Sequence, residues 1–263
     1  MPPHPTTNLP VALSIAGSDS GAGAGIQADL LTFAANGVYG TTALTCLTAQ
    51  NPLGVSGVQA ATPAFVVEQC RQVTAHYRPK ALKTGMLLNV EIVRAVAAFI
   101  AEARIPAVID PVMVASSGAT LLSTEAVAAV RQELLPLAAV VTPNLDEASI
   151  LLGRRALGGT HGVAEALELA RAYGVPFLVK GGHAEGDVLV DALAWPDGRT
   201  RTLTAPRLPG LDTHGSGCTL SAAITAHLAR GASLEQAVQL AHAYLQNGMK
   251  NPLQVAGLKH IRH

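Results

Sequence analysis

The chain has 263 residues, 49% of them hydrophobic, which is enough for a substantial core in one large α/β domain or two small ones. Basic and acidic residues balance at 18 each and only 14% of the chain is charged, so there is no electrostatic footprint for nucleic acid or an anionic membrane. Three scattered cysteines, Cys46, Cys70 and Cys218, make neither a disulfide framework nor a CxxC zinc site, and no run approaches the roughly 18 apolar residues of a membrane span.

The opening "MPPHPTTNLP" has no basic start followed by an apolar run of signal-peptide length, and its prolines predict a flexible lead-in over residues 1–10. "VALSIAG", Val11 to Gly17, reads as a buried strand, followed by a glycine-rich turn and a helix from about Gly25 to Ala35. "TTALTCLTAQ" is β-rich. "VEIVRAVAAFIAEA" sets Ile92, Val96, Phe99 and Ala103 on one stripe at helical spacing, and "AVID" is the next strand. "AAVVT" and "PFLVK" continue the pattern, and "VLVDALAW" turns through Asp197-Gly198 into "RTRTLTA" as an antiparallel hairpin. Two helices finish the chain, one with Leu220, Ile224 and Leu228 on a stripe, the other with Leu234, Val238, Ala241 and Leu245. Repeated βα units predict a largely parallel sheet covered by helices on both faces, and with no linker dividing it the chain reads as one domain, 1–263. Few cysteines and no leader point to a reducing, cytoplasmic setting.

Ligands of such sheets bind outside the carboxyl ends of the strands. Polar clusters fall there: Ser18-Asp19, Gln50-Asn51, Asp110, Thr142 to Glu147, and Lys180 to His183. "GSDSGAGAGIQAD" has the spacing GxGxG, neither a P-loop nor GxGxxG, and reads equally as a ligand loop or a tight turn. "GSGC", Gly215, Ser216, Gly217 and Cys218, leads into a helix as an anion-binding N-terminus does, with a plain Ser216 cap as the alternative. Cys218 in that first turn is expected to ionise below the free value of about 8.5, unless it is a small buried residue as expected for Cys46 and Cys70. In "TPNLDEA" the spacing of Asn144 and Glu147 could orient Mg²⁺, but from spacing alone a helix-capping box is the favoured reading. Lys180 in "KGGH" suits a phosphate contact or a surface turn. The nine histidines show no zinc-ligand spacing.

"IAGSDSGAGAGIQADLLTFAANGVYG", "TCLTAQN", "KTGML", "VIDPVM", "TPNLDEA", "VKGGH" and "DTHGSGCTLSAAI" together resemble, in order and spacing, the bacterial hydroxymethylpyrimidine/phosphomethylpyrimidine kinases of thiamine biosynthesis. The resemblance implies a ribokinase-like three-layer α/β/α sandwich with a central, mostly parallel sheet, usually a homodimer. It implies two ATP-dependent phosphorylations of hydroxymethylpyrimidine, first to the monophosphate and then to the diphosphate. Gln50 would read the aminopyrimidine, with Gly17, Ala24, Asp29, Met86 and Val112 around the ring. Cys218 would be the base on the primary alcohol, and Gly215, Ser216, Gly217 and Lys180 would stabilise the transferred phosphoryl. Asn144 and Lys180 with Gly215 and Gly217 would hold ATP, and Asp110 and Glu147 would place Mg²⁺. "GSGC" departs from the commoner GTGC but keeps the hydroxyl, and Gly21 and Ala22 depart from the expected serine and glycine. A pyridoxal kinase of the same superfamily is the runner-up, disfavoured by Cys218 and Gln50 together; a pyrimidine-binding regulator without turnover is the non-enzymatic alternative.

Overall fold

Period-two burial along the strands builds a sheet covered on both faces. In β1 (Val11–Asp19), Leu13 and Ile15 enter one core, while Ala12 and Ser14 face the opposite layer. β4 (Ala81–Thr84) repeats the alternation, with Leu82 on the first face and Ala81 and Lys83 on the second. The computed structural model describes residues 8–113, 122–182, 187–208 and 213–263. Most of the expected lead-in, His183 of "KGGH" and Asp212 of "DTHGSGC" lie outside those residues.

The nine-stranded sheet has the order β3-β2-β1-β4-β5-β6-β7-β8-β9. β2 (Tyr39–Asn51), β5 (Ala107–Ile109), β6 (Val140–Val141) and β7 (Phe177–Val179) run parallel with β1 and β4. Antiparallel ribbons close both edges: β3 (Gly54–Ala60) on β2, and β8 (Val188–Ala194) with β9 (Thr200–Pro206) beyond β7. The β8–β9 hairpin turns at Asp197-Gly198, where Gly198 has φ +96. One face carries α2 (Pro63–Tyr77), α3 (Val90–Ala103), α4 (Thr124–Ala129), α5 (Leu145–Leu152) and α6 (Gly162–Tyr173). The other carries α1 (Gly25–Ala35), α7 (Ser216–Ala229) and α8 (Leu234–Lys250), which completes a three-layer α/β/α sandwich. No helix of the described residues is long and apolar enough to cross a membrane.

The helical stripe predicted in α3 is the buried one: Ile92, Val96 and Phe99 enter the core, and the Asn89 side chain caps the helix by accepting the Ile92 N–H. Several elements go beyond the sequence reading, among them α2, β4, α4 and α6. All seven residues of β3 are exposed, so it has no burial alternation to read, and a short hairpin, β10 (Leu253–Val255) with β11 (Leu258–His260), follows the last helix.

Neighbouring strands β1 and β4 pass the chain to opposite layers, β1 to α1 and β4 to α3. Their carboxyl ends therefore diverge into a crevice, the topological switch point of the sheet.

Candidate active site

Asp19 ends β1 and is almost fully buried. Its Oδ1 accepts the Gly21 N–H at 2.8 Å and its Oδ2 the Ala24 N–H at 2.9 Å, which folds the glycine turn back over the strand end. Two glycines then allow backbones to meet. At Gly25, φ is +60 and a Cβ would lie 2.5 Å from the Gly17 carbonyl oxygen; at Gly215, φ is +78 and a Cβ would lie 1.8 Å from the Gly23 carbonyl oxygen. The glycine turn thus packs directly against the start of α7. There Cys218 lies in the first turn of α7.

Across the crevice, Lys180 follows β7 and bridges alongside Asn144. Its Nζ donates to Asp110 Oδ1 at 3.2 Å, while Ser221 Oγ of α7 donates to Asp110 Oδ2 at 3.2 Å. A Cβ on Gly217 would come within 3.0 Å of Lys180 Nζ, so the helix N-terminus and the ammonium share one small space. On the glycine-turn side, Gln50 Oε1 accepts from Thr48 Oγ1 at 3.2 Å, and Gln50 Nε2 lies 3.3 Å from His214 Nε2, itself 3.2 Å from Asp19 Oδ2.

These groups enclose a cavity of about 360 Å³. Of the predicted ring contacts, Gly17, Ala24, Gln50, Met86 and Val112 line it. So do Asp110, Asn144, Glu147 and Lys180, together with Gly215 through Cys218. Gly17 is sterically required, since a Cβ there would meet the Cys46 sulfur at 2.8 Å. Val112 holds φ +38, a conformation that costs a β-branched residue and that recurs where a binding wall is shaped.

Burial pushes the Glu147 pKa up to about 7; Lys180 pulls it back and Asp110 adds to it. Burial alone would lower the Lys180 pKa, but Asp110 and Glu147 hold it above the usual lysine range. Two carboxylates and one ammonium leave this end short of positive charge, a setting that suits a further cation. Among the described residues no group of three His, Cys, Asp or Glu side chains could hold a metal by itself. Mg²⁺ shared with phosphates needs only one or two carboxylates, so the residues present fit that mode.

The phosphomethylpyrimidine kinase family model matches residues 19–261. The chain belongs to the phosphomethylpyrimidine kinase family. It is 46% identical over 254 residues to the hydroxymethylpyrimidine/phosphomethylpyrimidine kinase of Synechococcus elongatus, with 94% of each chain covered. Among solved structures, the pyridoxal kinase of Bacillus subtilis in an ADP complex superposes with a TM-score of 0.86 at 36% identity, covering 97% of this chain and 98% of that one. Phosphomethylpyrimidine kinase of Clostridium difficile gives 0.79 at 36% identity, covering 90% and 98%. The sandwich is therefore the ribokinase-like fold, which serves both substrate classes, and fold alone does not choose between them.

Two expectations change in this phosphomethylpyrimidine kinase family member, those for Asp29 and Cys218, and the favoured capping-box reading holds. Asp29 does not line the cavity: it is wholly buried behind the wall, with Oδ2 accepting from Ser14 Oγ at 2.5 Å and Oδ1 from Lys83 Nζ at 2.7 Å. Asn144 and Glu147 form the capping box of α5, each side chain accepting the other's backbone N–H at 2.9 and 2.8 Å. Glu147 also accepts the Met113 N–H at 3.2 Å, so its carboxylate holds the loop after β5 as well as facing the cavity. Cys218 does not ionise easily: burial pushes its pKa up to about 11, with Lys83 lowering it and Asp29 and Asp110 raising it. Cys46 and Cys70 are the small buried residues expected.

The sequence reading gave no role to His214, Ser221 or Lys83. His214 sits inside "DTHGSGC" and Lys83 opens "KTGML", both within motifs that carry the resemblance.

Proposed function

We propose that the chain is an ATP-dependent kinase that phosphorylates the hydroxymethyl group of 4-amino-5-hydroxymethyl-2-methylpyrimidine and then the resulting monophosphate, supplying the pyrimidine branch of thiamine biosynthesis. The observation that carries this reading is a single cavity lined by Gln50 together with the Gly215 to Cys218 N-terminus, Lys180 and Asp110, the last two paired at 3.2 Å. The Gln50 amide offers a donor and an acceptor to the aminopyrimidine edge, while Gly17, Ala24, Met86 and Val112 bound the ring. In this reading the hydroxymethyl group points toward Cys218. The first N–H groups of α7 and the Lys180 ammonium then meet the charge of the phosphoryl in flight, the largest demand of a loose phosphoryl-transfer transition state. Asn144 and Lys180 with Gly215 and Gly217 would hold the ATP phosphates. Asp110 and Glu147 would place Mg²⁺, which neutralises phosphate charge when bound.

Cys218 is the proton acceptor in this reading. At neutral pH a thiol of pKa about 11 is mostly protonated, so the hydroxyl proton passes to sulfur only from the ionised minority, and turnover rises with pH. The homodimer implied by the resemblance belongs to the same proposal. It is supported by the open edge at β3, where Leu53, Val55 and Val58 stand exposed. The cytoplasmic setting expected for three unpaired thiols goes with it.

The test is a coupled Mg-ATP assay on hydroxymethylpyrimidine, its monophosphate and pyridoxal, with products followed by mass. Diphosphate formed through the monophosphate is expected. Phosphorylation of pyridoxal alone would overturn the substrate assignment and leave the transfer end standing.

A further inference from the structure

His214 lines the cavity beside Gln50, and none of the roles above uses it. A glutamine alone cannot tell an aminopyrimidine from an oxopyrimidine. The 4-amino ring presents an exocyclic N–H donor next to a ring-nitrogen acceptor, its 4-oxo analogue presents the reverse, and an amide that turns over pairs with either. Selectivity for the amino ring therefore needs a neighbour that holds the amide one way round. Thr48 does not supply it: its Oγ1 lies 2.8 Å from the Ser18 carbonyl oxygen and 3.2 Å from the Gln50 amide, and a hydroxyl with one hydrogen and two lone pairs suits either end. The imidazole does. His214 Nε2 lies 3.3 Å from the Gln50 amide and 3.2 Å from Asp19 Oδ2. A carboxylate only accepts, so Asp19 selects the ring state with its hydrogen on Nε2, and an N–H calls for the oxygen end of the amide. Exchanging the two ends of the Gln50 amide, which moves no other group, satisfies the whole set: the His214 N–H meets Asp19 and the amide oxygen, the amide N–H meets Thr48 Oγ1, and the Thr48 hydrogen goes to the Ser18 carbonyl. The opposite order sets a bare ring nitrogen against the carboxylate. The imidazole is also held sterically, since a Cβ on Gly23 would lie 2.8 Å from His214 Cδ2.

We propose that His214 is a specificity-determining positioning residue: held by Asp19 against the glycine turn, it locks the Gln50 amide with its oxygen toward the imidazole and its nitrogen toward Thr48. The lock fixes the donor and acceptor pattern that the cavity shows to the ring, and so selects an exocyclic amine beside an unprotonated ring nitrogen. The inference deepens the reading of Gln50 as the group that meets the aminopyrimidine edge and rests on it. Asp19 serves as a firm anchor because its two oxygens already accept the Gly21 and Ala24 N–H groups at 2.8 and 2.9 Å.

The experiment is titration calorimetry on the full chain with two ligands, hydroxymethylpyrimidine and its 4-oxo analogue. The parent is expected to favour the amino ring. His214→Leu offers neither a hydrogen nor a lone pair, so the Gln50 amide is free to turn over. The ratio of the two affinities should then fall about tenfold or more, with the oxo analogue binding more tightly than it does to the parent. A merely structural role would weaken both ligands alike and leave the ratio where it was. Should His214→Leu fail to fold, Gly23→Ala carries the test: its new Cβ pushes the imidazole off the glycine turn and removes no polar side chain, and the same fall in the ratio is expected. An unchanged ratio in the variant that folds, or a parent with no preference for the amino ring, would overturn the proposal. Failure of the Gln50 reading itself is distinguishable, because Gln50→Ala would then leave both affinities unchanged.

Discussion

Replacing Gly215 by alanine tests whether the glycine turn and the phosphate-facing helix act as one unit. Two costs are legible. The backbone holds φ +78, which disfavours alanine by about 1–2 kcal/mol. The second cost is steric: the new Cβ would stand 1.8 Å from the Gly23 carbonyl oxygen, where ordinary contact begins at 3.4 Å, and the obstacle is backbone with no rotamer to relieve it. The turn and the start of α7 must part by more than an ångström. A misplacement of that size at a reacting centre costs on the order of 100-fold in rate. Gly231, at the other end of the same helix, is the control: φ is +87 but nothing lies within 4 Å of an added Cβ. Steady-state kinetics and thermal unfolding of both variants make the comparison. Gly231→Ala is expected to lower stability by about 1–2 kcal/mol with kcat/KM unchanged, and Gly215→Ala to lower kcat/KM on the order of 100-fold in a folded protein. Equal kcat/KM in the two variants would refute the argument that the contact aligns the site.

Cys218→Ala is expected to bind the pyrimidine nearly as the parent does while turnover collapses; full turnover would remove the base assignment. In the parent, kcat should climb with pH without a plateau below about 9, because the thiol ionises near 11, and a plateau by pH 8 would contradict that order. Gln50→Ala should weaken pyrimidine affinity by about 1–3 kcal/mol, read by titration calorimetry, and unchanged affinity would take Gln50 out of the site. Glu147 gives a stability prediction with a definite sign. Its folded pKa of about 7 lies above the usual 4.5, so its contribution is fully present below pH 4.5 and is lost as pH rises through about 7. Urea unfolding should show the parent losing stability relative to Glu147→Gln across that window; parallel curves would refute it.

The sequence makes some parts of this site plain and conceals others for physical reasons. β1, α1 and the β8–β9 hairpin follow from local pattern and turn chemistry, because alternation, glycine placement and the Asp197-Gly198 turn act over a few residues. β3 escaped because an edge ribbon exposed on both faces has no burial pattern. Asn144 and Glu147 had two readings at one spacing, and the structure uses the pair as a capping box while also presenting it to the cavity. The Cys218 expectation failed because a helix N-terminus is a local feature visible in sequence, whereas desolvation by surrounding layers is not. Asp29 was misplaced for a similar reason: a loop-flanking aspartate looks available until a lysine 54 residues away is brought against it.

The cavity wall is assembled from widely separated stretches of the chain. Gly17, Ala24 and Gln50 come from the first quarter, while Asp110, Lys180 and the Gly215 to Cys218 turn come from later loops. Met86 and Val112, which bound the ring in the proposed reading, come from between these stretches, and the Gly23–Gly215 backbone contact ties the early turn to the late helix. A change in one stretch is therefore felt in the other, and selectivity for the ring cannot drift without touching the frame that handles the phosphoryl group.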